Sequence, residues 1–154
     1  MIRTGLVGFP VAHSRSPMLH QAAFQAAGLE GHYGLYEAAP SALRPTLVRC
    51  RTEGLLGLNV TVPHKIAAYA FADTVDPVAQ RAGAINTLIF RGGAVTGFNT
   101  DVGGFLDSLA CAGRSPAGKR VLILGAGGAA WAVLTALAAG GAGAAAAGGG
   151  PGGG

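Results

Sequence analysis

The sequence predicts an α/β architecture, and three observations carry the prediction. Short apolar runs of strand length alternate with longer runs that carry helix start and stop residues, the order that builds a sheet with helices packed on it. Late in the chain the densest apolar run, Arg120-Val121-Leu122-Ile123-Leu124, passes straight into the glycine-rich stretch Gly125 to Ala130 and then into a helix pattern, which is a βα unit. Half of the 154 residues are hydrophobic and only 12% are charged, enough apolar side chain for a core and too little charge for a disordered, solvated chain. The length holds one domain with part of a second, not two complete mid-sized ones.

Taken in order, Leu6 to Phe9 reads as a first strand, followed by a polar turn at His13 to Ser16 and a helix opened by Pro17, running to about Ala27 and stopped by Gly28. Tyr33 to Tyr36 is a second strand, Ala42 to Arg51 a second helix ending before Gly54, and Gly57 to Val62 a third strand stopped by Pro63. Lys65 to Phe71 reads as helical, and Asp76-Pro77 opens a short helix to Ala82. Thr87 to Phe90 and Ala94 to Phe98 form a hairpin across Arg91-Gly92-Gly93, and Val102 to Ala112 is a helix. The polar break Gly113 to Lys119 then separates the first α/β unit from the βα unit at the end.

Composition excludes several classes. Glycine makes up 27 of the 154 residues, well above the usual share of about 7%. Nine of those glycines lie between Ala138 and Gly154, where every residue but Pro151 is Ala or Gly. Such a tract is expected to be a tail without a fold of its own, standing for truncated or unassigned sequence rather than a designed linker. The net charge of +4 raises the question of nucleic acid, but the basic residues are scattered and aromatics are 6%, so neither a phosphate-tracking stripe nor a stacking platform is visible. An anionic small molecule accounts for the charge as well. Cys50 and Cys111 are isolated, with no ligand or framework spacing, which argues against zinc or disulfides and fits a reducing cytoplasm. No long apolar run follows the N-terminus, so secretion is not expected, and Ala126 to Ala147 is too rich in glycine and small side chains for a membrane span.

Several short motifs carry chemistry. Gly125 to Ala130 fits G-x-G-x-x-A, in which the first glycine allows a tight turn, the second admits a pyrophosphate to the backbone and the small last residue packs helix on strand. This marks the start of a Rossmann-type dinucleotide-binding unit. The acidic or basic residue about twenty positions on that separates NAD from NADP falls in the Ala/Gly region, so coenzyme choice cannot be read there. Ser16 before Pro17 reads as a helix N-cap, leaving Ser14 as a loop hydroxyl able to join it on a carboxylate. Lys65 follows Val62-Pro63-His64 at a helix start, where the dipole disfavours a cation, a setting suited to proton transfer. Asn99-Thr100-Asp101 reads as the N-cap region of the following helix, and Asn86-Thr87 as a helix terminus. His13 and His64 lack companions at ligand spacing and are read as hydrogen-bonding loop residues, so no metal site is expected.

Taken together, Gly8 to Pro17, Asn59 to Lys65, Gly83 to Thr87, Gly97 to Asp101 and Gly125 to Ala129 resemble, in order and in spacing, the shikimate dehydrogenase family. The resemblance spans Gly5 to about Leu137. It implies a substrate-binding catalytic domain over residues 1–101, a linking helix and loop over 102–117, the opening of the dinucleotide-binding domain over 118–137 and the Ala/Gly tail over 138–154. It also implies NADP-dependent, reversible reduction of 3-dehydroshikimate to shikimate in aromatic amino-acid biosynthesis, in the cytoplasm, by a monomer or homodimer. Ser14 and Ser16 are then expected to hold the substrate carboxylate, and Thr61, Asn86 and Asp101 the ring hydroxyls, with Asn59 at the same pocket. Lys65 and Asp101 are expected as the acid/base pair, and Gly125, Ala126, Gly127, Gly128 and Ala129 as the cofactor turn. Family members continue with a basic segment for the cofactor's 2′-phosphate and a late Gln that reaches substrate, neither of which occurs in these residues. Quinate as a second substrate, or shikimate binding without turnover by this chain, are the alternatives, and Ser16 favours shikimate over quinate.

Overall fold

The computed structural model describes residues 1–148 and contains two sheets. The larger has six strands in the order β2-β1-β3-β5-β6-β4. Its members are β1 (Ile2–Gly8), β2 (Gly31–Glu37), β3 (Gly57–Val60), β4 (Thr74–Val75), β5 (Thr87–Arg91) and β6 (Ala94–Phe98). β1 runs parallel to both β2 and β3, while β5 is antiparallel to β3 and to β6.

Side-chain alternation along β1 assigns the layers. Val7 joins the main core with Leu58, Val60, Ile85, Leu88 and Val95, and helix α2 (Leu43–Thr52) closes that face through Leu43, Leu47 and Cys50. Leu6, the preceding residue, points to the opposite face and packs with Val11, Tyr33 and Phe24 of helix α1 (Ser16–Ala26). The predicted hairpin is observed, with Gly92 and Gly93 both at positive φ (59° and 78°), a two-residue turn that side-chain-bearing residues adopt only under strain. Helix α3 (Pro77–Ala82) is capped as expected, Val78 N donating to Asp76 Oδ1 at 2.8 Å.

The smaller sheet pairs β7 (Arg120–Leu124) with β8 (Ala144–Gly148) in parallel, joined by α5 (Gly128–Ala139). It is fastened to the rest through Ala132 and Ala136 of α5, which pack on Val102, Phe105 and Leu106 of α4 (Asp101–Cys111) and on Val78 and Ala82 of α3.

The structure corrects four expectations. The tract from Ala138, expected to have no fold of its own, supplies the end of α5 and all of β8, so the second unit is βαβ rather than a single βα. Ladder hydrogen bonds need only backbone, and β7 supplies their partners; residues 149–154 of that tract lie outside the described residues. Strand β3 ends at Val60, leaving Thr61 and Val62 in a turn before Pro63. The segment from Lys65 is not an α-helix but a turn leading to a 3-10 helix at Ala67–Phe71, so Lys65 does not stand at the start of an α-helix of its own. Asn86 terminates no helix: α3 stops at Ala82, Gly83 takes the left-handed conformation, and Thr87 opens β5. Among the described residues no helix is long and apolar enough to cross a membrane.

Candidate active site

The expected site residues gather at the C-terminal ends of β1 and β3. Ser14, Ser16 and Thr61 line one cleft of about 440 Å³ with Leu6, Phe9, Pro10 and His13. Ser16 is not the N-cap that the sequence suggested. Arg15 occupies that position without a side-chain bond, Ser16 is the first helical residue, and its amide donates to Ser14 Oγ at 3.2 Å. The loop therefore satisfies itself through Ser14, whose Oγ also donates to Ser16 Oγ at 3.1 Å, leaving two converging hydroxyls at a helix start. Glu37, at the end of β2, steadies the loop by accepting from Val11 N at 3.0 Å.

The second group centres on Asp101. The expectation that Asn99, Thr100 and Asp101 merely cap α4 is also corrected: Thr100 is the N-cap but makes no side-chain cap bond, and Asp101 opens the helix with its carboxylate turned elsewhere. Lys65 Nζ donates to Asp101 Oδ2 at 2.7 Å, and Asn86 Nδ2 donates to Asp101 Oδ1 at 2.9 Å and to Thr100 Oγ1 at 2.8 Å. Asn99 is buried and holds the turn by donating to Ala84 O at 2.9 Å while its Oδ1 accepts Asp101 N at 3.0 Å. Lys65 is held by its main chain, its carbonyl accepting Ile85 N at 2.8 Å, and by the buried His64 beside it, whose Nε2 lies 2.7 Å from Ala38 O. A partly buried lysine paired with a carboxylate at this distance can donate a proton to a developing oxyanion and take it back in the reverse direction.

Asn59, expected at the same pocket, is absent from the lining of the Ser14–Ser16–Thr61 cleft and instead lines a second cavity of about 380 Å³ with Tyr33 and Thr87. Its Oδ1 accepts from the Tyr33 hydroxyl at 2.8 Å, and its Nδ2 donates to Thr87 Oγ1 at 3.2 Å. Tyr33 and Thr87 escaped the sequence reading because a tyrosine and a threonine within strands signal packing; only the fold shows their side chains reaching Asn59. Burial pushes the Tyr33 hydroxyl up to about 12, with Ser16 beside it pulling weakly the other way, and the Tyr33 ring stacks on His20 at 3.9 Å.

The glycine turn lies against the same site. Gly125 has φ +133°, outside the range side chains tolerate, and Gly127 has open space around it, so its backbone can approach a ligand closely. Helix α5 begins at Gly128 with no side-chain cap, which leaves its first N–H groups free for an anionic group. A Cβ placed on Gly128 would lie 2.7 Å from Lys65 Cβ, so the turn and the lysine touch. These features fit the pyrophosphate of a dinucleotide at Gly125 to Ala129. Among the described residues no group of three or more His, Cys, Asp or Glu could hold a metal ion.

Fold and site together define a class: an α/β domain carrying a lysine–aspartate pair, set against the glycine turn that opens a βαβ unit. Residues 6–88 match the family model of the shikimate dehydrogenase substrate binding domain, and the chain belongs to that family. It is 50% identical over 129 residues to the shikimate dehydrogenase (NADP(+)) of Symbiobacterium thermophilum, an alignment covering 84% of this chain and 44% of that one. It is 51% identical over 138 residues to the enzyme of the same name from Moorella thermoacetica, covering 88% and 47%. Among solved structures, shikimate 5-dehydrogenase from Thermus thermophilus in complex with NADP(H) and shikimate superposes with a TM-score of 0.86 at 43% identity, over 94% of this chain and 54% of that one. The chain thus spans about half the length of the curated relatives it matches.

Proposed function

We propose that this chain forms the substrate domain and the start of the nucleotide domain of an NADP-dependent dehydrogenase that interconverts 3-dehydroshikimate and shikimate. The relatives' names support the reaction, and the carrying observation in this chain is the 2.7 Å pair of Lys65 Nζ and Asp101 Oδ2 beside the glycine turn. NADPH, when bound, supplies the hydride. The protein's part is to hold the substrate and move the proton. Ser14 and Ser16 take the carboxylate through paired hydroxyls, and Thr61, Asn59, Asn86 and Asp101 orient the ring hydroxyls. Lys65 donates to the carbonyl oxygen as charge develops there, and Asp101 keeps the ammonium aimed. In the reverse direction Lys65 takes the proton back. Residues Gly125 to Ala129 hold the pyrophosphate on backbone N–H groups. The free thiols Cys50 and Cys111 support a reducing compartment, the cytoplasm.

Two measurements test this reading. Calorimetry of the 154-residue chain should show shikimate binding that Ser14→Ala weakens, whereas quinate, with a different ring substitution, should bind less well. In the protein as its source cells make it, Lys65→Ala should lower kcat by about 10²- to 10⁴-fold with little change in KM. A rise in KM with kcat unchanged would make Lys65 a binding residue only, and binding without any turnover in the unsubstituted protein would leave a shikimate-binding module instead.

A further inference from the structure

We propose that Tyr33 is a positioning residue of the substrate site, whose hydroxyl donates to the Asn59 amide oxygen and holds that amide toward substrate, at one end of a side-chain hydrogen-bond chain that reaches Asp101 and Lys65. The proposal rests on the reading of the Ser14–Ser16–Thr61 cleft and the Lys65–Asp101 pair as the shikimate site. It follows from which atoms can donate.

Tyr33 lies on β2, is 4% exposed, and is wedged among Leu6, Val11 and Phe24 with His20 stacked on its ring. Its hydroxyl keeps its proton throughout the neutral range, since burial raises its pKa to about 12. It donates to Asn59 Oδ1 at 2.8 Å, and this agrees with the far end of the chain, where the Asp101 carboxylate and the Thr100 amide orient Asn86 and so require Thr87 to accept from Asn59 Nδ2. Asn59 Nδ2 must then donate to Thr87 Oγ1 at 3.2 Å. Thr87 has a single proton and gives it to Asn86 Oδ1 at 3.0 Å, an oxygen that also accepts Thr100 N at 3.0 Å. Both Asn86 Nδ2 protons are thereby committed to Thr100 Oγ1 and Asp101 Oδ1, and the other Asp101 oxygen takes Lys65.

Every link points from Tyr33 toward the aspartate. One Asn59 N–H has no protein partner among the described residues and is the group left for a substrate hydroxyl. With phenylalanine at position 33 the Asn59 oxygen loses its donor and the amide is free to turn over. Thr87 can then donate to Asn59 instead of Asn86, and a substrate hydroxyl meets a mixture of donor and acceptor.

The test is a double-mutant cycle on the 154-residue chain, read by calorimetry with shikimate and by the side-chain amide signals of an ¹⁵N-labelled sample. Tyr33→Phe, which keeps the ring, should weaken shikimate about tenfold, and the loss should vanish in an Asn59→Ala background, because Tyr33 acts through Asn59. Equal losses in both backgrounds mean general packing and overturn the proposal, as does unchanged affinity in Tyr33→Phe. The amide signals keep the test independent of the functional reading: Tyr33→Phe should shift both the Asn59 and the more distant Asn86 NH₂ resonances. If the unsubstituted chain binds no shikimate, the functional reading fails while those shifts still decide the relay; an unmoved Asn86 signal overturns it.

Discussion

The six-stranded sheet and the β7–β8 sheet follow the same strand-and-helix alternation but differ in what holds them. The first has helices on both faces, and Val7, Leu58, Ile85, Leu88 and Val95 are almost fully enclosed. Among the described residues the second has one helix; Leu122 and Leu124 of β7 are 70% and 87% exposed, and the buried side chains there are Ala132, Ala136 and Leu137 on α5, two of them packed on α3 and α4 of the first unit. Within residues 1–148 one part carries its own core, whereas the buried side chains of the other lie mainly against its neighbour. That packing places the glycine turn beside Lys65.

The largest effect that can break this contrast is a cavity in the first core. Leu88→Ala, at a fully enclosed site, should cost about 2–5 kcal/mol in thermal or denaturant unfolding, with both sheets lost together because the second leans on the first. Survival of β7–β8 secondary structure after the first sheet has melted would show that the small sheet stands alone.

The contact between the units is tested next. Gly128 sits at a variable position of the glycine motif, where the motif itself asks for no glycine, and at the first residue of a helix, where alanine is the better helix former by up to about 1 kcal/mol. In isolation Gly128→Ala should stabilise α5. Here its methyl would meet Lys65 Cβ, which is no flexible chain end, so the expected outcome is a loss of about 1–3 kcal/mol. Together with faster modification of Lys65 by an amine reagent, that loss would place the turn against the lysine in solution; a gain in stability would mean the units do not touch there.

These two sites also mark what was legible in the sequence. Alternating apolar runs, Pro17, Asp76, Gly83 and the Gly92-Gly93 turn encode local structure directly, so most elements and both units could be read. β8 was invisible because Ala144 to Ala147 carry no strand-like side chains; a strand whose identity comes from its pairing with β7 leaves no mark of its own. The site residues were recognisable as motifs, yet local pattern paired none of them: Lys65 with Asp101 was expected from the family resemblance alone, and Tyr33 with Asn59 was not foreseen. The Tyr33–Asn59 bond joins residues 26 apart and Lys65–Asp101 joins residues 36 apart, and such distances follow from sheet order, which local pattern does not specify. Ser16 and Asp101 were read as caps for the same reason: at a helix start, a side chain's use is decided by what the fold brings opposite it.

Alkaline titration sharpens the comparison at smaller amplitude. Burial raises the Tyr33 hydroxyl from 10.0 to about 12 and the Cys50 thiol from 9.0 to about 11, and both belong to the first unit. Each group binds its proton more tightly when folded, so its contribution is complete below the unfolded value and is lost as pH rises through the folded one. Stability should therefore hold up to about pH 9 and decline toward pH 12. The chain between Gly118 and Gly148 has no tyrosine or cysteine to titrate. Tyr33→Phe should flatten the upper part of that decline; an unchanged profile would place its cause elsewhere.

The smallest effect is expected where the second sheet faces solvent. Leu124, the last residue of β7, is 87% exposed, so Leu124→Ser removes almost no buried area and should move stability by no more than about 0.5 kcal/mol. The same change at Leu58, on the central strand β3 of the larger sheet and 2% exposed, would be severe. Solubility responds in the opposite sense: Leu122 and Leu124 form an apolar strip on one face of β7, and replacing one of them should reduce self-association seen by light scattering. A loss of several kcal/mol from Leu124→Ser would instead show that this face is covered in solution, and the contrast between a self-sufficient sheet and a dependent one would have to be redrawn around that cover.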